Sequence, residues 1–365
     1  MRVLVAPQEF KGSLSADEAA TAIRNGLRRA QPGWTFDFLP LSDGGPGFLE
    51  ALRKAVKSDT SATVVHDALG RPVLGRWVTV RESGDVLIEA AQANGLFHLR
   101  TDELDALYAD TTGVGELIAE AALEAPARII VGVGGSATTD GGSGMARALG
   151  AVFLDEAGNV LPPGGAPLAR LTRIDWHPPS WVGKIEVVVA SDVTSPLIGP
   201  SGAAAIYSPQ KGADPRQVEI LEAAMVRYAA VLKRSLGVDI AALPGAGAAG
   251  GLGAGLVAFL GARIASGFEV VSEATHLRER MERCDLVVTG EGSFDSQSRL
   301  GKVTGRVVAM AEAQRTPWVL FAGRSDEANE RVRTLAEIEP DSARAMAGAV
   351  ALLENLAARW AGERE

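Results

Sequence analysis

Apolar residues follow two rhythms along this chain. Short runs, Val3-Leu-Val-Ala6, Phe36-Asp-Phe-Leu39, Ile129-Ile-Val-Gly-Val133, Leu286-Val-Val288 and Trp318-Val-Leu-Phe321, alternate with stretches whose apolar positions recur every three or four residues. The first such stretch predicts a helix over 16–30: Ser15 and Glu18 form a capping box, Ala19, Ile23, Leu27 and Ala30 share a face, and Pro32-Gly33 ends it. Further helices are predicted near 144–149, 302–313 and 328–335. Ala349-Val-Ala-Leu352 reads as a late strand. A long helix over 215–235 has Asp214 as N-cap, Pro215 at its first position, Gln217 as capping-box partner and Gly237 beyond its end. Strands that alternate with helices predict a parallel sheet covered on both faces.

Thr63-Val-Val65, 74–81 and Val86-Leu-Ile88, turning at Glu82-Ser-Gly84, instead suggest antiparallel pairing, as does 152–161 around Ala157-Gly-Asn159. The expected architecture is a doubly wound, flavodoxin- or Rossmann-like α/β domain made of residues 1–60, 108–150 and 271–365. A second α/β domain, 61–107 plus 151–270, is inserted into it, with the site in the cleft between them. A chain of 365 residues is too long for one ordinary core, which supports two domains.

Composition narrows the classes. With 47% apolar and 22% charged residues the chain is an ordinary globular one, and a net charge of -9 offers no general attraction to nucleic acid or an anionic membrane. The uncharged stretch Leu243 to Ala262 is as long as a membrane span, but seven glycines, each costing about 1 kcal/mol in a helix relative to alanine, make it a glycine-rich loop leading into a short buried helix. One cysteine, Cys284, permits neither an internal disulfide nor a cysteine zinc site, and the opening apolar run is short for a signal peptide; the cytoplasm is the expected compartment. His66, His98, His177 and His276 lie in no nucleophile motif, so a hydrolase triad has little support.

Ligands of open parallel sheets sit at the carboxyl ends of strands, so the loops there carry the chemistry. Pro7-Gln-Glu-Phe-Lys-Gly-Ser-Leu14, Ser42-Asp-Gly-Gly-Pro-Gly47 and Gly134-Gly-Ser-Ala-Thr-Thr-Asp-Gly-Gly-Ser-Gly144 follow the first three parallel runs, and the last two share D-G-G-x-G. Carboxylates beside glycines put a metal or proton acceptor next to exposed N–H groups, though aspartate and glycine also simply make turns. Asp192 lies just past the run 185–190, and Lys211 sits in a turn, where a lysine is usually solvated. Thr289 to Lys302, TGEGSFDSQSRLGK, ends in Gly-Lys yet is no P-loop: Ser296 and Val303 stand where glycine and Ser or Thr are needed. It reads as a strand-end acidic loop carrying Glu291 and Asp295. Gly132-x-Gly134-x-x-Ala137 fits a dinucleotide fingerprint, a weak pattern that leaves a nicotinamide dehydrogenase as a rival reading.

Taken in order, these blocks resemble the bacterial glycerate kinase family. The blocks are F-K-G-S-L at Phe10–Leu14, L-x-D-G-G-x-G at Leu41–Gly47, G-V-G-G-S-A-T-x-D-G-G at Gly132–Gly142 and D-V-x-x-P-L at Asp192–Leu197. They continue with P-Q-K-G-A at Pro209–Ala213, P-G-A-G-A-A-G-G-L-G-A-G at Pro244–Gly255 and T-G-E-G-x-x-D-x-Q at Thr289–Gln297. The resemblance implies ATP-dependent phosphorylation of D-glycerate, commonly on the 2-hydroxyl, with Mg2+, and two α/β domains with the site between them. The partners implied are small molecules, with neither nucleic acid nor membrane, and a homodimer is left open.

Phosphoryl transfer needs positioning and charge neutralisation. Asp192 and Asp295 are the expected base and metal ligand, in either order. Lys11 would neutralise the transferring phosphoryl. Ser13, Asp43, Gly44, Gly45, Gly134, Gly135, Ser136, Lys211, Gly250, Gly251, Gly290, Glu291 and Gly292 are the expected substrate- and phosphate-binding set. Departures from the family pattern, Gln8-Glu9 where it has Asp-Ser and Pro46 and Phe48 where it has Glu and Thr, motivate another reading: an altered paralogue that binds without turnover or takes another hydroxy acid.

Overall fold

The computed structural model describes residues 1–42, 47–295, 298, 303–326 and 329–364. The chain forms two compact units, one of Met1–Asp43, Glu50–Val56 and Phe268–Glu365, the other of Gly44–Leu49 and Lys57–Gly267.

The first unit holds a five-stranded sheet in the order Val332–Thr334, Trp318–Ser325, Leu286–Phe294, Arg2–Val5, Thr35–Phe38, every neighbour parallel. Val3 lies opposite Leu286 on one side and Phe36 on the other. Successive strands are added outward from this centre in both directions, so the chain order reverses between Arg2–Val5 and Leu286–Phe294. Helix Ala16–Ala30 has the expected Ser15/Glu18 capping box and buries Ala19, Ile23 and Leu27. With Val5, Val288, Phe321 and Trp360 these residues form one core.

Two expectations fail in this unit. The late strand is the start of helix Ala349–Gly362, whose buried Ala349, Leu353, Leu356 and Trp360 recur at helical spacing; four residues were too few to show that period. The helix expected near 328–335 is replaced by strand Val332–Thr334, which joins the sheet edge, and a 3-10 turn Leu335–Glu337.

The second unit is built on a six-stranded sheet in the order Arg263–Ala265, Glu186–Ala190, Arg128–Gly132, Val86–Glu89, Pro72–Val80, Ser58–His66. The first four are parallel and the last two antiparallel, so Val86–Glu89 is antiparallel on one side and parallel on the other. Val152–Leu154 pairs separately with Arg173–Asp175. Residues 108–150, expected with the first domain, belong here, because Arg128–Gly132 is hydrogen-bonded between Val86–Glu89 and Glu186–Ala190. A βα signature shows that a strand is parallel and covered; it does not say which of two sheets receives it.

Helix Pro215–Leu236 carries the predicted capping box and ends in left-handed Gly237. The apolar stretch forms helix Ala248–Leu260, with left-handed backbone at Ala249, Gly250 and Gly251. Among the described residues no helix is long and apolar enough to cross a membrane.

Candidate active site

Both units present the carboxyl ends of their parallel strands as loops, and the predicted residues divide between them. In the five-stranded unit the loop after Arg2–Val5 is tied down by backbone bonds. Gln8 N donates to Gly290 O (2.8 Å), Phe10 N to Leu14 O (2.8 Å) and Ser13 N to Phe10 O (2.8 Å). Phe10 is the buried anchor, which leaves Lys11 exposed on the rim. Ser13 Oγ donates to Phe10 O (2.9 Å) and so shapes the turn. Gly292 packs against this loop so closely that a Cβ there would stand 3.1 Å from Lys11 N. Lys11, Ser13 and Gly292 are thereby brought together around one cavity of about 480 Å³.

The first part of the expected acidic loop, Thr289 to Phe294, is strand. Leu286–Phe294 runs on through Gly290, Glu291 and Gly292 because Trp318–Ser325 continues to pair with it, Glu291 opposite Ala322 and Phe294 opposite Ser325. Glu291 is buried within it. Asp295 is the first residue beyond, and its Oδ1 accepts from Ser298 N (2.8 Å) and Ser298 Oγ (3.2 Å), the bonding of a turn aspartate. Asp43, Gly44, Gly45, Pro46 and Lys302 lie outside the described residues.

In the six-stranded unit Gly134 and Gly135 are half-buried at the end of Arg128–Gly132, and Ser136 turns inward. Asn94 Nδ2 donates to Ser136 Oγ (3.2 Å) and Thr138 Oγ1 (3.1 Å), bracing the loop from beneath. Lys211 is not solvated: at 1% exposure its ammonium donates to the Thr138 carbonyl (2.5 Å). Burial pulls its pKa down to about 7, against the pull of the Asp140 charge. Gly250 closes on the same carbonyl. Its φ is +66°, and a Cβ would meet Thr138 O and, at 2.9 Å, Lys211 Nζ, so only glycine fits. Ser136, Lys211, Gly250 and Gly251 thus converge on one buried loop. Asp140, a further acid of that loop, ties the start of helix Ser143–Ala148 to Thr111 by accepting from Gly142 N (3.1 Å), Gly144 N (2.8 Å) and Thr111 N (3.0 Å). The helix opens at Ser143, well past Ala137, so G-x-G-x-x-A does not open a helix and the dinucleotide fingerprint loses its context.

Asp192 follows strand Glu186–Ala190 and accepts from Ser266 Oγ (2.6 Å), itself just past Arg263–Ala265. Glu89 ends Val86–Glu89 and accepts from Gly47 N (3.3 Å) and Leu49 N (3.1 Å), holding the exit of the D-G-G loop; burial pushes its carboxyl pKa up. Asn94, Ser266 and Glu89 were all missed. Glu89 was legible as an acid closing an apolar run, but only once that strand is known to have a parallel neighbour. The departures sort themselves: Glu9 is exposed, and Phe48 is fully buried.

Among the described residues no cluster of three acidic, histidine or cysteine side chains forms a metal cage. Single hard carboxylates at strand ends do fit an ion that arrives with nucleotide phosphates, as magnesium commonly does.

The whole arrangement has relatives. A model of the glycerate kinase family matches residues 3–362. Glycerate 2-kinase of Escherichia coli is 42% identical over 324 residues, covering 88% of this chain and 85% of that protein. Glycerate kinase of Halalkalibacterium halodurans is 38% identical over 331 residues, 90% and 87% of the two chains. A crystal structure described as a glycerate kinase 2 from Salmonella typhimurium superposes with a TM-score of 0.84 at 38% identity, over 100% of this chain and 98% of that one. With the match running nearly end to end and the strand-end loops in its blocks, the chain belongs to the glycerate kinase family.

Proposed function

We propose that the protein transfers the γ-phosphoryl group of ATP to D-glycerate and that the product is 2-phosphoglycerate. Membership of the glycerate kinase family from residue 3 to residue 362 is the observation that carries this reading; the regiochemistry leans on the name of the Escherichia coli relative. The same reading treats the five-stranded unit as a doubly wound domain interrupted by the other unit, and the cytoplasm as its compartment.

Lys11, exposed on a loop pinned by Phe10, neutralises charge on the transferring phosphoryl group. Asp192 and Asp295 supply the base that orients and deprotonates the attacking hydroxyl and the carboxylate that holds magnesium. When bound, that ion screens the phosphate oxygens. The N–H groups of Gly134 and Gly135, with those of Gly44 and Gly45 and of strand segment Gly290–Gly292, bind anionic groups; Asp43 assists. Ser136, Lys211 and Gly250 act one step back, by fixing the loop through Thr138, and Gly251 by packing on Gly141 of the same loop.

The test is ADP release with a range of hydroxy acids, wild type beside Asp192→Asn and Asp295→Asn. Glycerate-dependent release should fall at least tenfold in kcat for both variants, about 1.4 kcal/mol or more of transition-state stabilisation. Release that no hydroxy acid raises above the protein-only rate would remove the kinase reading, and a smaller loss would remove that aspartate from the chemistry.

A further inference from the structure

The cavity beside Lys11 has walls of two kinds, and they come from different parts of the chain. It opens at the carboxyl ends of Arg2–Val5, Leu286–Phe294 and Trp318–Ser325, next to the reversal of chain order where open parallel sheets take their ligands. The strand ends contribute two exposed cations, Lys11 and Arg324, and Arg324 is steadied by donation from its Nε to Ser293 Oγ (3.2 Å). The segment after the last strand contributes a mainly apolar wall of Leu335, Pro340, Ala345 and Met346, with Glu339 and Ser342 beside it. Met346 is 47% exposed and leans over the first loop: a Cβ on Gly12 would stand 3.2 Å from its Cε.

Those walls discriminate between the two substrates. Glycerate is a small acid whose hydroxyls would lose water against the apolar wall without gaining partners, and it would leave most of about 480 Å³ unfilled. ATP has a flat base that suits an apolar wall, with a polarisable methionine as a good partner for an aromatic ring, and an anionic tail that suits two cations. The volume also lies within the roughly 300–1,000 Å³ of small-molecule sites. We propose that this cavity is the nucleotide site, the base packing on Met346 and Leu335 and the phosphates reaching Lys11 and Arg324. Arg324 and Met346 fall in none of the blocks that resemble the family. The inference rests on the kinase reading for its choice of ligand.

Calorimetric titration of the full chain with ATP, combined with steady-state kinetics, tests it. Met346→Asp alters an exposed position and Arg324→Ala removes a rim cation. Each should raise the ATP Kd at least tenfold while the KM for glycerate stays within twofold. If the glycerate KM moves instead, the cavity takes the acceptor and the proposal falls; if neither constant moves, the cavity takes neither substrate and it falls as well. Should wild type bind ATP with this dependence on Met346 and Arg324 yet show no glycerate-dependent ADP release, the nucleotide site stands and the acceptor assignment fails alone.

Discussion

Lys211 shows how far one side chain can depart from what its type suggests. A lysine in a turn is ordinarily hydrated, yet here it is enclosed, bonded to the Thr138 carbonyl, with a pKa lowered to about 7. An unfolded lysine titrates near 10.4. Between those values the unfolded chain binds more protons than the folded one, so stability rises with pH across about 7 to 10 and the cost of burying the charge is fully present below 7. Lys211→Met removes that titration. The stability difference between wild type and variant, from denaturant unfolding at several pH values, should grow in favour of wild type by up to about 1.4 kcal/mol per pH unit over that window. A difference that does not change with pH would show the ammonium to be hydrated after all. Residue-level legibility followed the same divide. Local hydrogen bonds, such as Asp214 with Gln217, could be read from spacing because both partners are near in sequence. The partners of Lys211, Asp192 and Glu89 lie 73, 74 and about 40 positions away, and nothing in their own neighbourhoods announces them.

At the level of elements, the helix at 16–30 was legible down to its cap, whereas its partner helix Ala349–Gly362 was mistaken for a strand. Their contact depends on Gly26, where an added Cβ would run into the Glu354 carbonyl oxygen and stand 2.9 Å from the Ala357 Cβ. Gly26→Ala would normally strengthen a helix by about 1 kcal/mol. Here overpacking, typically about 1–3 kcal/mol, outweighs that gain, and the variant should be less stable than wild type by roughly 1 kcal/mol. Thermal melting checks the sign, since a raised Tm would mean that the two helices can separate at no cost. The acidic loop was misjudged for a related reason. Gly290, Glu291 and Gly292 look like a turn on composition, but pairing with Trp318–Ser325 keeps them extended, and cross-strand pairing leaves no local trace. The strand-end rule did locate loops that follow the parallel strands, such as those of Lys11 and Asp192, without saying which of their side chains face inward.

For the molecule as a whole, the division of the chain was not legible, since residues 108–150 join the six-stranded sheet. Each unit has its own core, one around Val5, Ile23 and Trp360, the other around Val131, Val189 and Phe259. Separate cores predict two transitions on heating. If ATP occupies the cavity of the five-stranded unit, a hundredfold excess over Kd should stabilise that unit by about 2.7 kcal/mol and shift one transition only. Differential scanning calorimetry reads this directly. A single transition that moves as one body would mean that the cores unfold together.

The central position of Arg2–Val5 also sets an order of events during synthesis. Its neighbour on one side is Leu286–Phe294, and Arg2 N donates to an Asp285 carboxylate 283 positions later. A ribosome adding about 5–20 residues each second needs roughly 15–60 s to make what lies between. Throughout that interval the first apolar strand and the helix after it can pair with Thr35–Phe38 but not with the rest of their sheet. Meanwhile Lys57–Gly267 emerges as one continuous stretch. The nascent chain therefore finishes its middle before its beginning, and the unit with the proposed nucleotide cavity is the last to assemble.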